Sequence, residues 1–215
     1  MCGRFVMLTP EEVADVVAAV EQRAGLRALS VDADLPRVQA RPGSLIATIG
    51  RSSDVLAASG CIWGFTPEWS TKPVFNTRIE SALNGSAMWR DAFRDGRCVI
   101  PAVAFFEPHG TETEPSPRTG RSMKRQYRFD ATDGFPLLMA GLRQGDRCSS
   151  VTTKPNRWME PIHDRMPLLL RFDEVEAWLD GAQPPAAAST AAFELHVAPE
   201  RTNDVAAQDQ LSLFE

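Results

Sequence analysis

The sequence predicts an α+β domain with a curved, largely antiparallel β core and a few peripheral helices. Short apolar or alternating segments punctuated by proline and glycine recur along most of the chain, and helical periodicity is confined to three stretches. A hydrophobic fraction of 43% over 215 residues suffices for one sizeable core. No internal repeat divides it.

Taken in order, the first strand is expected at residues 2–6, Cys2-Gly3-Arg4-Phe5-Val6. A helix follows at 10–21, where Thr9 can cap, Pro10 suits the first turn, Glu12 completes a capping box, and Val13, Val16, Val17 and Val20 form one stripe. Strands are expected at 44–49 and 55–65, then a helix from Ala87 to Asp95 with Trp89, Ala92 and Phe93 inward and Gly96 as its stop. Further strands fall at 97–107, 126–130, 136–142, 148–153, 166–170 and 193–198, with a third helix from Asp173 to Leu179. Residues 110–125 lack an apolar period and read as a mobile loop. The Ala-, Pro- and Ser-rich stretch 181–192 reads as a surface connection. The expected organisation is a domain over residues 1–200 and a polar tail over 201–215.

Composition narrows the class. No apolar run reaches the ~20 residues of a membrane span, and the start lacks a basic-then-apolar secretory pattern, so a soluble, cytoplasmic protein is expected. Cys2, Cys61, Cys98 and Cys148 lie far apart without a C-x-x-C pair, which speaks against structural zinc and a disulfide framework. The last three sit in apolar surroundings and are expected in the core. The net charge of −5 is unevenly spread: nine acids and one base lie between Asp173 and Glu215, leaving 22 bases against 19 acids before them. Such a body is compatible with a phosphate-binding groove without demanding one.

Removal of the initiator would leave Cys2 with a free α-amine and a thiol on adjacent carbons. These groups titrate near ~7.7–8.0 and ~8.5, so both have a reactive fraction at neutral pH. An aldehyde is their natural partner, the amine forming an imine and the thiol then closing a five-membered ring. Position alone better describes a small buried residue in the first strand. Glu107 ends the apolar run Val99–Phe106, where desolvation would raise its pKa and make it a proton donor; a solvent-facing strand end is the alternative. His163, in Pro161-Ile162-His163-Asp164-Arg165-Met166-Pro167, is suited to proton transfer near neutrality. Trp63-Gly64-Phe65-Thr66-Pro67-Glu68-Trp69 and Asn76-Thr77-Arg78-Ile79-Glu80-Ser81 combine aromatic platforms with arginine, as stacking on unpaired bases requires. Core tryptophans and a structural Arg78–Glu80 pair would account for the same residues. No metal-binding spacing is present.

Together these segments resemble the SOS-response-associated peptidase (SRAP) family. The matching pieces are Met1–Phe5, Trp63–Trp69, Asn76–Ser81, Arg97-Cys98-Val99-Ile100-Pro101 through Phe106-Glu107, Ala140-Gly141-Leu142, Thr152-Thr153 and His163–Pro167. Each is weak alone; seven in the family's order are specific. The resemblance implies the SRAP fold and a protein that senses abasic sites in single-stranded DNA, joining its N-terminal cysteine to the sugar aldehyde as a thiazolidine. It implies a reactive set of Cys2, Asn76, Glu107 and His163, with Asn76 holding the sugar and the Cys2 backbone and Glu107 and His163 moving protons. Arg4, Arg78 and Arg165 would take phosphates, Trp69 would stack or wedge beside a base, and Gln39, Pro42 and Thr152 would border the DNA. No cofactor or metal is implied. Self-removal of the residue before Cys2, lyase-type activity, a place in the DNA damage response and nucleoid association belong to the same expectation.

The sequence departs from the family at several points. Gln39 stands where asparagine is usual, Pro108 replaces an aromatic after Glu107, Thr77 replaces alanine, and Lys154-Pro155 replaces small residues. Two other classes share features: glutamine amidotransferases also open Met-Cys-Gly, and a noncatalytic single-strand-binding module would use the same aromatics and arginines. Near the end, Gln210-Leu211-Ser212-Leu213-Phe214 looks like the bacterial sliding-clamp-binding motif, with Gln210, Leu211, Leu213 and Phe214 as anchors; a short closing strand is the alternative.

Overall fold

A computed structural model of the chain describes residues 2–22, 38–52, 55–181, 190 and 192–200. Its elements in order are β1 (Arg4–Met7), α1 (Pro10–Gln22), β2 (Gln39–Ala40), β3 (Leu45–Ser52), β4 (Val55–Trp63), β5 (Asn76–Arg78), α2 (Ile79–Leu83), α3 (Arg90–Asp95), β6 (Arg97–Pro115), β7 (Ser122–Ala131), β8 (Leu137–Gln144), β9 (Arg147–Thr153), β10 (Met166–Pro167), β11 (Leu169–Leu170), α4 (Val175–Leu179) and β12 (Leu195–Pro199). The α+β expectation holds. Strands β4 and β5 each run parallel to β9, and the other described pairings are antiparallel.

Pairing closes the sheet on itself. Strand β6 joins β8, β8 joins β9, β9 joins β4, β4 joins β3, and β3 returns to β6 through Ile49 opposite Val99. Closure leaves alternate residues facing opposite sides. Cys2, Phe5, Ile46, Cys61, Trp63, Ile100, Phe105, Met139 and Cys148 share one core. Val99, Leu138, Ala140, Leu142 and Val151 face the other way, into a second core with residues of α1, α2, α3 and α4.

Helix α1 begins as its sequence requires. The Thr9 amide donates to Glu12 Oε2 at 2.9 Å and the Glu12 amide to Thr9 Oγ1 at 3.3 Å, a complete capping box. Val13, Val16 and Val20 are buried, with Val17 at the margin. The expected helix at 87–95 starts later, at Arg90, after a turn, and ends at Gly96, whose amide donates to Ala92 O.

Three expectations are corrected. Residues 110–125 are not a loop: β6 continues to Pro115 and β7 begins at Ser122, so the stretch is a β-hairpin. Strands β2 and β5 and helix α2 went unexpected, because a two- or three-residue strand and a five-residue helix are too short to show a period. Cys2 precedes the first strand and is as buried as the other three cysteines. Gln210, Leu211, Leu213 and Phe214 lie outside the described residues.

A bulge decides which way Glu107 points. Val6 pairs with Ala104 and Met7 with Ala102, so Val103 is an extra residue on β6. Ile100 and Ala102 face the inner core before it, and Phe105 faces the same core after it. The extra residue shifts the alternation by one. Glu107, two beyond Phe105, therefore falls on the face that holds Cys2.

Trp63 anchors this inner core. It is fully buried, its indole N–H donates to Phe75 O at 3.0 Å, and its ring meets Phe5 and Phe75 edge-on at 4.9 and 5.6 Å. Trp63→Ala should destabilise the fold by about 3–5 kcal/mol in urea unfolding, since cavity and lost transfer energy add. A loss below about 1 kcal/mol would contradict this role.

Candidate active site

Cys2 is held by contacts that depend on distant parts of the chain. Its carbonyl accepts a hydrogen bond from Asn76 Nδ2 at 2.8 Å, while Asn76 Oδ1 accepts one from Ser150 Oγ at 2.5 Å. Asn76 and Ser150 are register partners in the parallel pair β5–β9, which explains how a short polar strand finds its place. The Cys2 thiol lies against the Arg4 carbonyl at 3.5 Å. Burial, and then the negative charge of Glu107, push this thiol up to about 12, so it rests as the neutral S–H.

Glu107 is fully buried and sits opposite Tyr127 in the β6–β7 pair. Burial pushes its carboxyl up to about 7, against a smaller opposing pull from the positive amino terminus. The carboxyl is thus divided between acid and carboxylate at neutral pH. His163 lies in the turn before β10. Burial, the first cause, lowers its pKa, with further lowering from the amino terminus and Lys124 set against the raising effect of Asp164. Its Nδ1 accepts the Arg165 amide at 3.0 Å. An amide N–H can only donate, so the neutral ring carries its proton on Nε2. Asp164 Oδ1 also stands 3.0 Å from Nδ1, a contact that becomes attractive when the ring is protonated.

The residues expected at the DNA fall into two groups. Trp69 is 73% exposed, at the end of a loop that leaves β4 through Gly64 and returns through Phe75 to Asn76. Gly64 has φ +122°, and a Cβ there would stand 2.7 Å from Pro73 Cβ, so glycine is required to bring the loop back. Arg78 is exposed beside buried Thr152, its register partner. Pro42 and Gly43 form the centre of a turn closed by Ser44 N to Arg41 O at 2.9 Å, with Gly43 at φ +94° as a type II turn requires.

Arg4 and Arg165 are instead already engaged. Arg4 Nη1 donates to Glu200 Oε1 at 2.7 Å and to Gln39 Oε1 at 3.1 Å, its other terminal nitrogen pairs with Glu200 Oε2, and its guanidinium lies 3.9 Å from the centre of the Phe106 ring. Arg165 makes a bidentate pair with Glu80, 2.9 Å for each bond, and donates to Thr152 O at 2.6 Å. The Arg165 hydrogen bonds hold the Glu80 carboxyl below its ordinary value. The structural pair weighed between Arg78 and Glu80 is thus made by Arg165. Sequence reasoning assigned no role to Ser150 or Glu200, because their partners lie 74 and 196 residues away.

The arrangement joins a neutral thiol, a carboxyl poised near neutrality, a neutral imidazole and an amide that fixes the cysteine backbone. This set suits proton transfer around a nucleophilic sulfur. Among the described residues no cluster of three or more His, Cys, Asp or Glu is arranged to hold a metal, and no helix is long and apolar enough to cross a membrane. A cavity of about 940 Å³ between α1, the β7–β8 turn and the segment before α4 includes none of Cys2, Asn76, Glu107 and His163 in its lining.

A family model for "SOS response associated peptidase (SRAP)" matches residues 1–207. The abasic site processing protein YedK of Escherichia coli (strain K12) is 26% identical over 197 residues, covering 83% of this chain and 79% of its own. The abasic site processing protein YoqW of Bacillus subtilis (strain 168) is 27% identical over 202 residues, covering 84% and 80%. A phage-related protein of Bordetella bronchiseptica, solved by X-ray crystallography, shares the fold with a TM-score of 0.66 at 24% identity, over 93% of this chain and 94% of that one.

The raised Glu107 carboxyl ties stability to pH. It stands at about 7 in the folded chain against an ordinary 4.5. Folding favours the neutral acid, so this contribution is fully present below about 4.5 and is lost as pH rises through 7. At ~1.4 kcal/mol per unit, the loss approaches about 3 kcal/mol. Glu107→Gln should match the parent at pH 4.5 and exceed it in urea resistance at pH 8 by an amount of that order. A difference that does not change with pH would overturn the assignment.

Proposed function

The chain belongs to the SOS response associated peptidase family, and from that premise we propose that it processes abasic sites in DNA, capturing the open sugar of a single-stranded lesion on Cys2. The observation that carries this reading is the Asn76 hydrogen bond to the Cys2 carbonyl, made while Glu107 is turned to the same core by the Val103 bulge. While Met1 remains attached, the Cys2 nitrogen is an amide. The first step is therefore hydrolysis of the Met1–Cys2 bond, a self-processing that frees the amine.

The amine then adds to the aldehyde carbon of the ring-opened sugar. Glu107, as the acid, protonates the departing hydroxyl, and one water leaves as the iminium forms. The carboxylate left behind takes the thiol proton while sulfur adds to the same carbon, closing the thiazolidine. One carboxyl serves both steps because its pKa lies near 7. His163 moves protons during sugar ring opening, and Asn76 keeps the Cys2 backbone and the sugar in place. Arg4, Arg78 and Arg165 receive phosphates, Trp69 stacks beside the lesion, and Gln39, Pro42 and Thr152 shape the border of the groove. Without the thiol, the imine would proceed to β-elimination, a lyase outcome. No metal or organic cofactor enters. The protein would act in the cytoplasm at the nucleoid, within the DNA damage response.

Intact mass spectrometry tests the chemistry. Protein lacking Met1, mixed with an abasic single-stranded oligonucleotide, should gain the mass of the oligonucleotide minus one water in a heat-stable adduct. Cys2→Ala should form none; a stable adduct in that variant would show that another nucleophile reacts. Release of ammonia from glutamine would instead place the chain with the amidotransferases. Glu107→Gln and His163→Ala should slow capture by roughly 10²–10⁴-fold, with little change in noncovalent binding to an intact strand.

We also propose that the tail reaches a bacterial sliding clamp through Gln210, Leu211, Leu213 and Phe214. A peptide of residues 201–215 should bind the host clamp, and Leu213→Ala with Phe214→Ala should abolish that binding in the full chain. No binding by the peptide ends this reading.

A further inference from the structure

The hairpin formed by the distal parts of β6 and β7 has no part in either core, yet it grows directly from the reactive centre. Glu107 and Tyr127 are register partners at its base. Beyond Pro108, paired with Gln126, the residues 109–112 of β6 stand against Arg125 alone, and regular pairing resumes with Thr113 opposite Lys124 and Pro115 opposite Ser122. The expanded segment is internally bonded: His109 Nδ1 accepts the Glu112 amide at 3.0 Å, and Tyr127 Oη donates to Glu112 Oε2 at 2.7 Å. The end of the hairpin is closed by Ser116 N to Arg121 O and Gly120 N to Ser116 O, both at 2.8 Å, with Gly120 at φ +67°. From Tyr127 to Ser122 the ribbon extends about 17 Å, at ~3.3 Å per residue.

Its charge is one-sided. Between Pro115 and Arg125 the sequence holds Arg118, Arg121, Lys124 and Arg125 and no acid. Arg125 faces Glu112 and Glu114, at 3.8 and 3.9 Å. Arg118, Arg121 and Lys124 are exposed, and among the described residues no carboxylate pairs with them. A protein that needed this ribbon only for folding would gain nothing from three unneutralised cations on it.

One bond ties the ribbon to the segment of His163: Gly110 N donates to Ile162 O at 2.8 Å, one residue before His163. Within the ribbon, Lys124 Nζ donates to Gly110 O at 2.8 Å, which holds this cation beside that tie. Lys124 is close enough for its charge to act on His163. The exposed cations thus lead outward from the reacting groups along one continuous element.

We propose that the β6–β7 hairpin is a DNA-binding arm whose Arg118, Arg121 and Lys124 bind successive phosphates of the strand flanking the lesion on one side of Cys2. This rests on the reading of the Cys2 centre as a DNA site and adds the element that extends the footprint beyond the lesion. Phosphate neutralisation by side chains on a stiff two-stranded ribbon gives register and affinity without reading sequence.

The test uses full-length protein and an intact single-stranded oligonucleotide, with binding measured from low to high salt. Arg118→Gln with Arg121→Gln should weaken binding and make the slope of log K against log salt shallower by about 1.4. Adding Lys124→Gln should bring the change to about 2, at ~0.7 per phosphate contact. The urea midpoint of the double variant should not move, because Arg118 and Arg121 are exposed; Lys124→Gln also removes the bond to Gly110 O, so the triple variant is read by its salt slope alone. With an abasic strand, the double variant should need more DNA for half-maximal capture and keep the saturating capture rate. Shortening the oligonucleotide on one side of the lesion should reproduce the loss in the parent protein and add nothing in the variant. Unchanged affinity and slope would overturn the arm, as would absence of binding to intact strands. A parent protein that binds DNA with the expected slopes yet forms no adduct would overturn the capture chemistry and leave the arm standing.

Discussion

The side-chain amide of Asn76 is the contact on which the geometry of the centre depends. It donates to the Cys2 carbonyl and accepts from Ser150 Oγ, joining a segment that precedes the first strand to the parallel pair β5–β9. An aspartate would keep the acceptor but lose the donor, and an apolar side chain would take the Asn76 donor from the Cys2 carbonyl and leave the Ser150 hydroxyl only the Phe75 carbonyl, at 3.3 Å. Because Asn76 is anchored on both sides, the Cys2 backbone is fixed relative to β9. Strand β6 fixes it again through the β1–β6 pairing, where Arg4 lies opposite Phe106. Two independent frames thus meet at one residue, and the thiol has little room to drift from Glu107.

The arginines around this centre are organised differently from those of the hairpin. Arg4 and Arg165 are buried and bidentate to Glu200 and Glu80, and each is also tied to a neutral acceptor, Gln39 or Thr152 O. A buried guanidinium left without an anion would be costly, so these carboxylates hold the arginines in place while no other anion is present. On the proposed reading, a phosphate arriving at either arginine replaces one anion with another, and the desolvated guanidinium never stands unpaired. Affinity gained there is the difference between phosphate and carboxylate. Exposed cations such as Arg78 and Arg118 begin hydrated and release counterions on binding, so they are the ones that dominate a salt response.

Legibility in the sequence tracked local periodicity. The capping box of Thr9 and Glu12, the valine stripe behind it, and the apolar segments of β6, β8 and β9 each announced their elements, because burial on one or both faces leaves a period in the residues themselves. The hairpin at 110–125 left none: a two-stranded ribbon outside the cores has no face to bury, so its strands read as polar loop. Strand β5 escaped for a related reason, since Asn76-Thr77-Arg78 is held by side-chain bonds to β9. The apolar run before Glu107 left burial and a solvent-facing strand end both open, and the direction of the side chain could not be read. A simple alternation through Ile100 and Ala102 would turn Glu107 away from the inner core, and only the pairing with β1 reveals the extra residue at Val103. Ser150 and Glu200 were invisible as partners, and Glu80 was weighed against its neighbour Arg78 rather than Arg165, because each bond spans more than 70 residues.

A carboxyl near 7 in a fully buried position reduces stability wherever it ionises, and its placement determines whether the fold can bear that cost. Glu107 lies on the longest strand of the sheet, which pairs with β1, β3, β7 and β8, and it comes two residues after Phe105, stacked on Phe129 at 4.9 Å. Phe106, the residue before it, is paired with Arg4 on one side and Arg128 on the other, which limits how far this end of the strand can relax when the carboxyl ionises. Burial also raises the thiol, so the centre rests with its sulfur protonated and protected from casual oxidation. On the proposed reading, activation comes from the carboxylate form of Glu107, present in part near neutrality and regenerated whenever the acid form gives up its proton. On that reading the two raised values belong together: burial keeps the thiol neutral at rest and holds the neighbouring carboxyl near the pH at which it can both give and take a proton.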